Sequence, residues 1–334
     1  MKKFFTSIIA LFFLFILSVL FYLVWILNKG EFESEYLKDF LNDRLKKPGL
    51  FYSQIDTPKI KFDTKNKKLM IQGNNFKINK ESGENIAEFD NLKVYLNLRN
   101  LLIKRKLDAE KLYLEQGIIS MPNVFSEPLK IERIYLEGKL YPENDEIELS
   151  HFLTDIKEDH YEGSAKINLE DLNAVGNLTD LTRKNIFYNM DLVSNNLDFS
   201  ANSFGFDIEG EALLGGIDIL LKGRKNYINH EDYVSKYNVQ TIINEKDIEN
   251  SFKIKIEDFI SGPIELNGTY FILNSNKERI ETINNLKNST LSFPLLGLSK
   301  SSDIDATTKI NFYFSNGVLD NLKILGYQEG NKKL

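Results

Sequence analysis

The chain has 334 residues, a formal charge of −6 and no cysteine. Its length allows one or two domains beside any targeting segment. The acidic balance works against nucleic acid and against tight electrostatic docking on anionic lipid, and the missing thiols exclude disulfides and thiolate metal sites.

The first element is an apolar run, Phe4 to Leu27, interrupted only by Thr6, Ser7 and Ser18. At about 1.5 Å per residue it reaches roughly 36 Å, enough to cross a hydrocarbon core of about 30 Å with some tilt. Lys2 and Lys3 precede it, and Tyr22 and Trp25 sit near its far end, where amphipathic rings favour the headgroup zone. Secretory signals have a shorter apolar region and end at small residues. Here the run leaves through Val24-Trp25-Ile26-Leu27-Asn28-Lys29, which offers no such pair. Residues 1–28 are therefore expected to be an uncleaved single-pass anchor, with the N-terminus on the cytoplasmic side and the bulk of the chain across the membrane.

Residues 29–48 are expected to form an amphipathic helix and linker. Leu37, Leu41 and Leu45 recur at helical spacing with Tyr36 and Phe40 beside them, over Glu33 to Lys47. Lys46 and Lys47 suit a helix C-terminus, and Pro48-Gly49 stops it.

Within the expected domain of residues 49–334, the dominant period from residue 58 onward is two. Ile147-Glu148-Leu149, Ala165 to Leu169, Phe204 to Glu209, Tyr237 to Thr241, Phe252 to Glu257, Ile264 to Gly268 and Ile310 to Phe314 all alternate. Turn signals separate such runs at Lys80–Asn85, Pro142–Asp145, Gly215-Gly216 and Ser315-Asn316-Gly317. Short helical pieces are read only near Leu98 to Lys106 and around Leu286. This is the pattern of a mainly β chain: an antiparallel sheet with one dry and one wet face, and no crossover helices. The alternation does not decide between a sheet closed on its own second layer and one that leaves an apolar concavity unfilled.

Nothing in the chain nominates a nucleophile with its base, so no enzyme, cofactor or metal site is expected. His151, His160 and His230 fit no common metal spacing, and His230-Glu231-Asp232 reads as a polar loop. Phosphate loops, G-x-S-x-G and H-E-x-x-H are absent.

Two segments carry a family resemblance. The first runs through Pro58-Lys59-Ile60-Lys61-Phe62 and Leu69 to Ile78. It continues with Ile86-Ala87, the alternating Val94, Leu96 and Leu98, Leu101-Leu102-Ile103-Lys104-Arg105, and Leu112-Tyr113-Leu114-Glu115. The second is Leu286 to Lys300, with Phe293-Pro294-Leu295-Leu296-Gly297 at its centre, followed by a hairpin over Ile310 to Leu325. Together these resemble the AsmA-like superfamily of bacterial envelope proteins, in particular its YhdP- and TamB-type members. Such proteins are longer, so the resemblance implies a short or incomplete member.

The resemblance implies a long curved antiparallel β-groove over residues 49–334, anchored in the inner membrane and directed into the periplasm. It implies phospholipid as cargo, carried between inner and outer membrane, and a periplasmic or outer-membrane protein continuing the sheet. Burial of acyl chains makes the role intelligible, because each methylene exposed to water costs about 0.8 kcal/mol. The apolar residues expected to face the groove are Ile134, Leu136, Ile147, Leu149, Ile167, Leu169, Phe204, Phe206, Ile208, Ile217 and Ile219. Val239, Phe252, Ile254, Ile256, Ile264, Leu266, Phe312 and Phe314 complete the set. Two other readings remain: an assembly scaffold that docks partners by β-strand addition, and a subunit of the lipopolysaccharide-export kind.

Overall fold

In a computed structural model of the protein, the structure describes residues 18, 32–33, 38–39, 46–47, 51–63, 68–97, 109–120, 127–141, 146–168, 170–228, 233–253, 255–273, 277–294, 298–329 and 332–333. Among these residues no helix is long and apolar enough to cross a membrane. The run assigned to the anchor lies outside them, apart from Ser18. The chain divides into two compact units, Met1–Tyr141 with Glu148–Lys157, and Pro142–Ile147 with Glu158–Leu334.

The first unit is a meander of long strands: β1 (Phe51–Asp63), β2 (Lys68–Lys80), β3 (Asn85–Leu96), β4 (Ala109–Ile119), β5 (Leu129–Tyr141) and β6 (Glu146–Ile156). From β1 to β5 each strand pairs antiparallel with the next. β6 lies against β5, where Ser150 Oγ donates to the Glu137 carbonyl at 3.2 Å and Asp155 pairs with Arg133 at 2.6 Å. Register decides which apolar residues meet. Ile71, Val94, Leu112 and Leu136 form one cross-strand row, and Phe76, Phe89, Gly117 and Ile131 form another.

Residues of these rows join a core cluster in which Ile55 is 1% exposed and Phe89 2%, with Val94 and Leu112 partly buried against it. Two glycines make room for it. A Cβ on Gly117 would overlap the Phe89 ring, and one on Gly73 would overlap Ile55, so both large side chains lie flat over a neighbouring strand. The opposite face is wet. Tyr95, Tyr113, Tyr135 and His151 stack there in a ladder with ring centroids 5.8, 4.7 and 5.1 Å apart. Ion pairs flank it, Lys93 with Glu115 at 3.2 Å and Lys111 with Glu137 at 2.9 Å.

The helix expected over Glu33 to Lys47 is corrected at both ends. Glu33 pairs with Lys59, and Lys46 and Lys47 pair with Tyr52 and Phe51, all as antiparallel strand. Only Lys38 and Asp39 are helical among the described residues of this stretch. Backbone pairing with β1 overrides the helical spacing at those ends. The piece expected near Leu98 to Lys106 lies outside the described residues.

The second unit runs β7 (Asp159–Asn168), β8 (Asn173–Phe187), β9 (Met190–Asn202), β10 (Gly205–Leu214), β11 (Ile217–Asn226) and β12 (Tyr233–Ile243). A helix α1 (Glu245–Phe252) follows, then β13 (Ile260–Ser261), β14 (Ile264–Leu273), β15 (Lys277–Asn285), β16 (Thr290–Phe293), β17 (Leu298–Lys300), β18 (Ala306–Ser315) and β19 (Val318–Glu329). The spatial order is β7-β8-β9-β10-β11-β12-β14-β15-β18-β19, antiparallel throughout. β13, β16 and β17 form a separate small sheet. The hairpins read from Gly215-Gly216 and Asn316-Gly317 are two-residue turns with φ of +59°, +88°, +51° and +76°, the left-handed pair that such turns require.

Two stretches differ from their reading. Phe252 to Glu257 alternates like a strand, yet Phe252 ends α1 and Lys253 closes it in the left-handed region at φ +58°. Asn244 explains this. Its side chain accepts from the N–H groups of Lys246 and Asp247 while the Asp247 carboxylate accepts from the Asn244 N–H, a capping box that starts a helix. The second stretch is the helical piece read around Leu286, which is a turn closed by Ser289 N–H donating to the Leu286 carbonyl.

Candidate functional site

Alternation assigns residues to two faces of a strand, and pairing tells which faces coincide. In the second unit Phe206 stands opposite Ala201, Ile208 opposite Phe199 and Gly223, and Ala212 opposite Ile219. Leu214 stands opposite Ile217, Leu221 opposite Val239, and Ile243 opposite Ile264. Leu266 then faces Thr241 and Asn284, and Phe312 and Phe314 face Ile280 and Glu278. On the other side Ile167 pairs with Ala174, which pairs with Ala201. Ile167, Phe206, Ile208, Ile217, Ile219, Val239, Ile264, Leu266, Phe312 and Phe314 therefore share one face of one sheet.

That face is concave. Phe187, ending β8, sits 6.0 Å from Tyr270 on β14, and Tyr188 sits 6.2 Å from Phe314 on β18, ring centre to ring centre. Between β8 and β14 lie four strands, which in a flat sheet would hold them about 24 Å apart. The sheet must curl to close that gap. Register shifts between Leu178 and Asp180 and between Val193 and Asn196 sharpen the bend. Glycines serve it too: a Cβ on Gly176 would overlap the Phe199 ring and one on Gly223 would overlap Tyr237.

Burial along the face is uneven. Leu181 and Leu197 are nearly sealed, at 1% and 0% exposed, and Ile219, Ile264 and Phe314 are buried. Ile167, Phe206, Ile208, Ile217, Val239, Leu266 and Phe312 are half-buried. The protein's own side chains thus fill part of the trough and leave part of it accessible. Its end at Ile243 and Ile264 is covered by a cluster in which Leu286, Leu291 and Ala306 pack with Ile260, Phe293 and Tyr327. Beside that cluster Lys300 is buried, its ammonium donating to the carbonyls of Ser289 at 2.6 Å, Ser301 at 2.9 Å and Lys287 at 3.3 Å. Burial holds its pKa below the ordinary lysine value.

Among the remaining expected groove residues, Phe204, Phe252 and Ile256 are not part of this face. Phe204 lies in the turn before β10, 60% exposed, because Asn202 Oδ1 accepts from the Phe204 and Gly205 N–H groups and forces the chain round. Phe252 belongs to α1, and Ile256 opens a turn whose carbonyl accepts from the Phe259 and Ile260 N–H groups. Leu169 and Ile254 lie outside the described residues. Ile134 and Leu136 belong to the first unit, where Ile134 packs, half-buried, against the core cluster; Ile147 and Leu149 lie on β6, Leu149 buried.

Sequence reading missed a polar belt on the same concave face. Leu181 pairs with Tyr161, and Arg183, two residues on, pairs with Leu192. Lys225 pairs with Phe206 and Ser235, and Tyr237 with Gly223 and Tyr270. Asp159 organises one side. Its carboxylate accepts from the Lys184 N–H at 2.8 Å, Arg183 Nε at 3.3 Å and the Tyr161 hydroxyl at 3.4 Å. Burial pushes Tyr161 up to about 12. Burial and then the nearby Arg183 charge hold Lys225 below the ordinary lysine value. Tyr270 donates to Glu278 at 2.7 Å, and burial followed by that bond raises its pKa.

The outward face carries two further groupings. A shallow hollow of about 480 Å³ is lined by Asn238, Gln240, Asn267, Thr269, Glu281 and Asn311 among others. On β7 and β8, His160, Glu162 and Asp180 bring one ligand-type atom each within 4.8 Å of the others.

Fold and face define a class in physical terms: a β-protein whose second unit curls around an apolar, partly accessible interior crossed by charged and phenolic groups. No protein-family model, curated protein or solved structure matches the chain.

Proposed function

We propose that the protein is a membrane-anchored lipid-handling protein of the AsmA-like kind. In this reading it is tethered in the bacterial inner membrane by residues 1–28 and shields phospholipid acyl chains on the concave face of its second unit, on the periplasmic side. One observation carries the reading. Apolar residues scattered from Ile167 to Phe314 converge on a single concave face, and Phe206, Ile208, Val239, Leu266 and Phe312 keep part of their surface free there. A face of this kind offers acyl chains an environment out of water without using any reactive group, at about 25 cal/mol per Å² of apolar surface covered.

The test is site-specific photocrosslinking in cells, with the probe at Phe206 or Phe312. Adducts to phospholipid are the expected result. Lipopolysaccharide adducts shift the reading to an export subunit, and protein adducts alone remove the lipid role.

A specific feature favours a second reading, docking by strand addition. Among the described residues β19 pairs with β18 on one side and, on the other, only through Gln328 and Glu329 with Lys333 and Lys332. Along this edge Val318 is 66% exposed and Ile324 67%, with Leu319, Leu322 and Leu325 also exposed. An open ladder flanked by apolar side chains recruits another strand. A partner continuing the sheet is compatible with either reading.

A further inference from the structure

Spacing along the chain gives His160 no metal motif, but strand register gives it companions. His160 and Glu162 alternate with Tyr161 on β7, so their side chains leave the same face of the sheet. Across the pairing with β8, Asp180 stands directly opposite Glu162, and Thr182 opposite His160. Tyr161 and its partner Leu181 point to the concave side, which makes this face the outward one.

The juxtaposition depends on one extra residue. Leu178 pairs with Gly163, and the register then slips before Asp180 meets Glu162. Without the slip Thr179 would face Glu162, and Asp180 would face Tyr161 on the concave side. A bulge re-aims a side chain in this way. Thr179, the inserted residue, donates from Oγ1 to the Glu162 carbonyl at 3.5 Å.

Two carboxylates directly opposite each other on a sheet repel. Among the described residues no lysine or arginine engages the Asp180 carboxylate. His160 Nε2 lies 3.6 Å from the Glu162 carboxylate. One ligand-type atom from each of His160, Glu162 and Asp180 lies within 4.8 Å of the other two. Around a tetrahedral zinc ion with bonds of about 2.1 Å, neighbouring donors are roughly 3.4 Å apart. Asp180 is exposed and free to rotate the remaining distance.

We propose that His160, Glu162 and Asp180 bind one divalent transition-metal ion on the outward face of the second unit. One imidazole nitrogen with two carboxylate oxygens suits Zn²⁺ better than Mg²⁺, which takes oxygen ligands. Three protein ligands leave a coordination position for water or a further donor. The site faces away from the trough and stands independently of the lipid-handling reading.

The experiment uses the full chain without an affinity tag, in uncharged detergent micelles after chelator treatment. It is titrated calorimetrically with Zn²⁺ and, separately, with Mg²⁺. The variants are His160→Gln, Glu162→Gln and Asp180→Asn, with Asp218→Asn, another exposed acid of the same unit, as control. The expected result is one Zn²⁺ per chain, bound about tenfold or more tighter than Mg²⁺. Each of the three variants weakens it by at least the roughly tenfold that loss of an outer-shell partner costs, and the control leaves it unchanged. Melting separates a ligand from a structural contact. Zn²⁺ raises the melting temperature of the parent but not of Asp180→Asn. Metal-free Asp180→Asn melts no lower than the parent, because the opposed charge has gone.

No Zn²⁺ binding, or binding that Glu162→Gln and Asp180→Asn leave unchanged, overturns the site. Equal affinity for Mg²⁺ overturns it too, since an exposed acidic pair alone would then account for binding. Should one variant fail to fold, the other two decide the matter.

Discussion

The two units are built from the same material, long antiparallel strands in sequential order, yet their inward faces differ. In the first, the rows through Ile71 and Phe76 are apolar across the strands, and Phe89 and Ile55, lying flat over glycines, are nearly sealed while Val94 and Leu112 are half-buried. In the second, the equivalent face mixes sealed residues such as Leu197 with half-buried ones such as Phe206, and admits Arg183, Lys225, Tyr161 and Asn284. A strand pattern therefore does not specify a filled interior. What specifies it is whether bulky apolar residues face each other across successive strands or are replaced at intervals by polar ones.

That contrast can be broken most strongly at Phe89. Phe89→Ala is expected to cost about 3–5 kcal/mol, the range for emptying a buried aromatic site. Urea unfolding of the first unit checks it. Phe206→Ala, the matching truncation on the second unit's face, is expected to cost well under half as much, because the ring is already partly in water. Equal losses at the two positions would erase the distinction drawn between the units.

A charge sharpens the same comparison. Ile208→Glu is expected to leave the far-ultraviolet circular dichroism of the chain unchanged while removing lipid crosslinking at Phe206. Leu114→Glu, in the first unit's core, is expected to unfold its surroundings, since an unpaired buried charge has no water to solvate it.

Removal of the α1 cap is a smaller perturbation. Asn244→Ala deprives the Lys246 and Asp247 N–H groups of their acceptor, at 2.9 and 3.1 Å, and is expected to cost about 1 kcal/mol. Hydrogen exchange at those amides reports it. The smallest effect expected is a gain. Lys225 has a folded-state pKa below the ordinary value of 10.5, so the unfolded chain binds the proton more tightly. Its charge opposes folding below the folded pKa, and the opposition fades as pH rises from there towards 10.5. Lys225→Met is therefore expected to melt higher than the parent near neutral pH, with the difference shrinking in alkaline buffer.

Much of the β organisation was legible in the chain. Alternation located Ala165 to Asn168, Ile264 to Gly268 and Ile310 to Phe314, and the Gly215-Gly216 and Asn316-Gly317 signals marked their turns correctly. Phe252 to Glu257 misled because its period belonged to a helix end and the turn beyond it. The Asn244-x-x-Asp247 capping signal was present just upstream and outranks a short alternating run. Phe204 misled for a related reason: the Asn202 side chain turns the backbone before the strand can begin.

The convergence of the concave face was only half legible. Periodicity sorts residues within one strand, while the shifts near Asp180 and Asn196 reset which residue stands inward on the next. The belt escaped altogether. Tyr161, Arg183 and Lys225 lie far apart in sequence, and a lone polar residue in a strand reads as part of its wet side.

The plug of Leu286, Leu291 and Ala306 over Ile243 and Ile264 has a consequence for traffic. A wall at one extremity turns a corridor into a berth. Under the proposed lipid-handling role, a hydrocarbon tail in the second unit would meet this cluster beside Ile264 and would leave through the mouth that admitted it or sideways over the β19 rim.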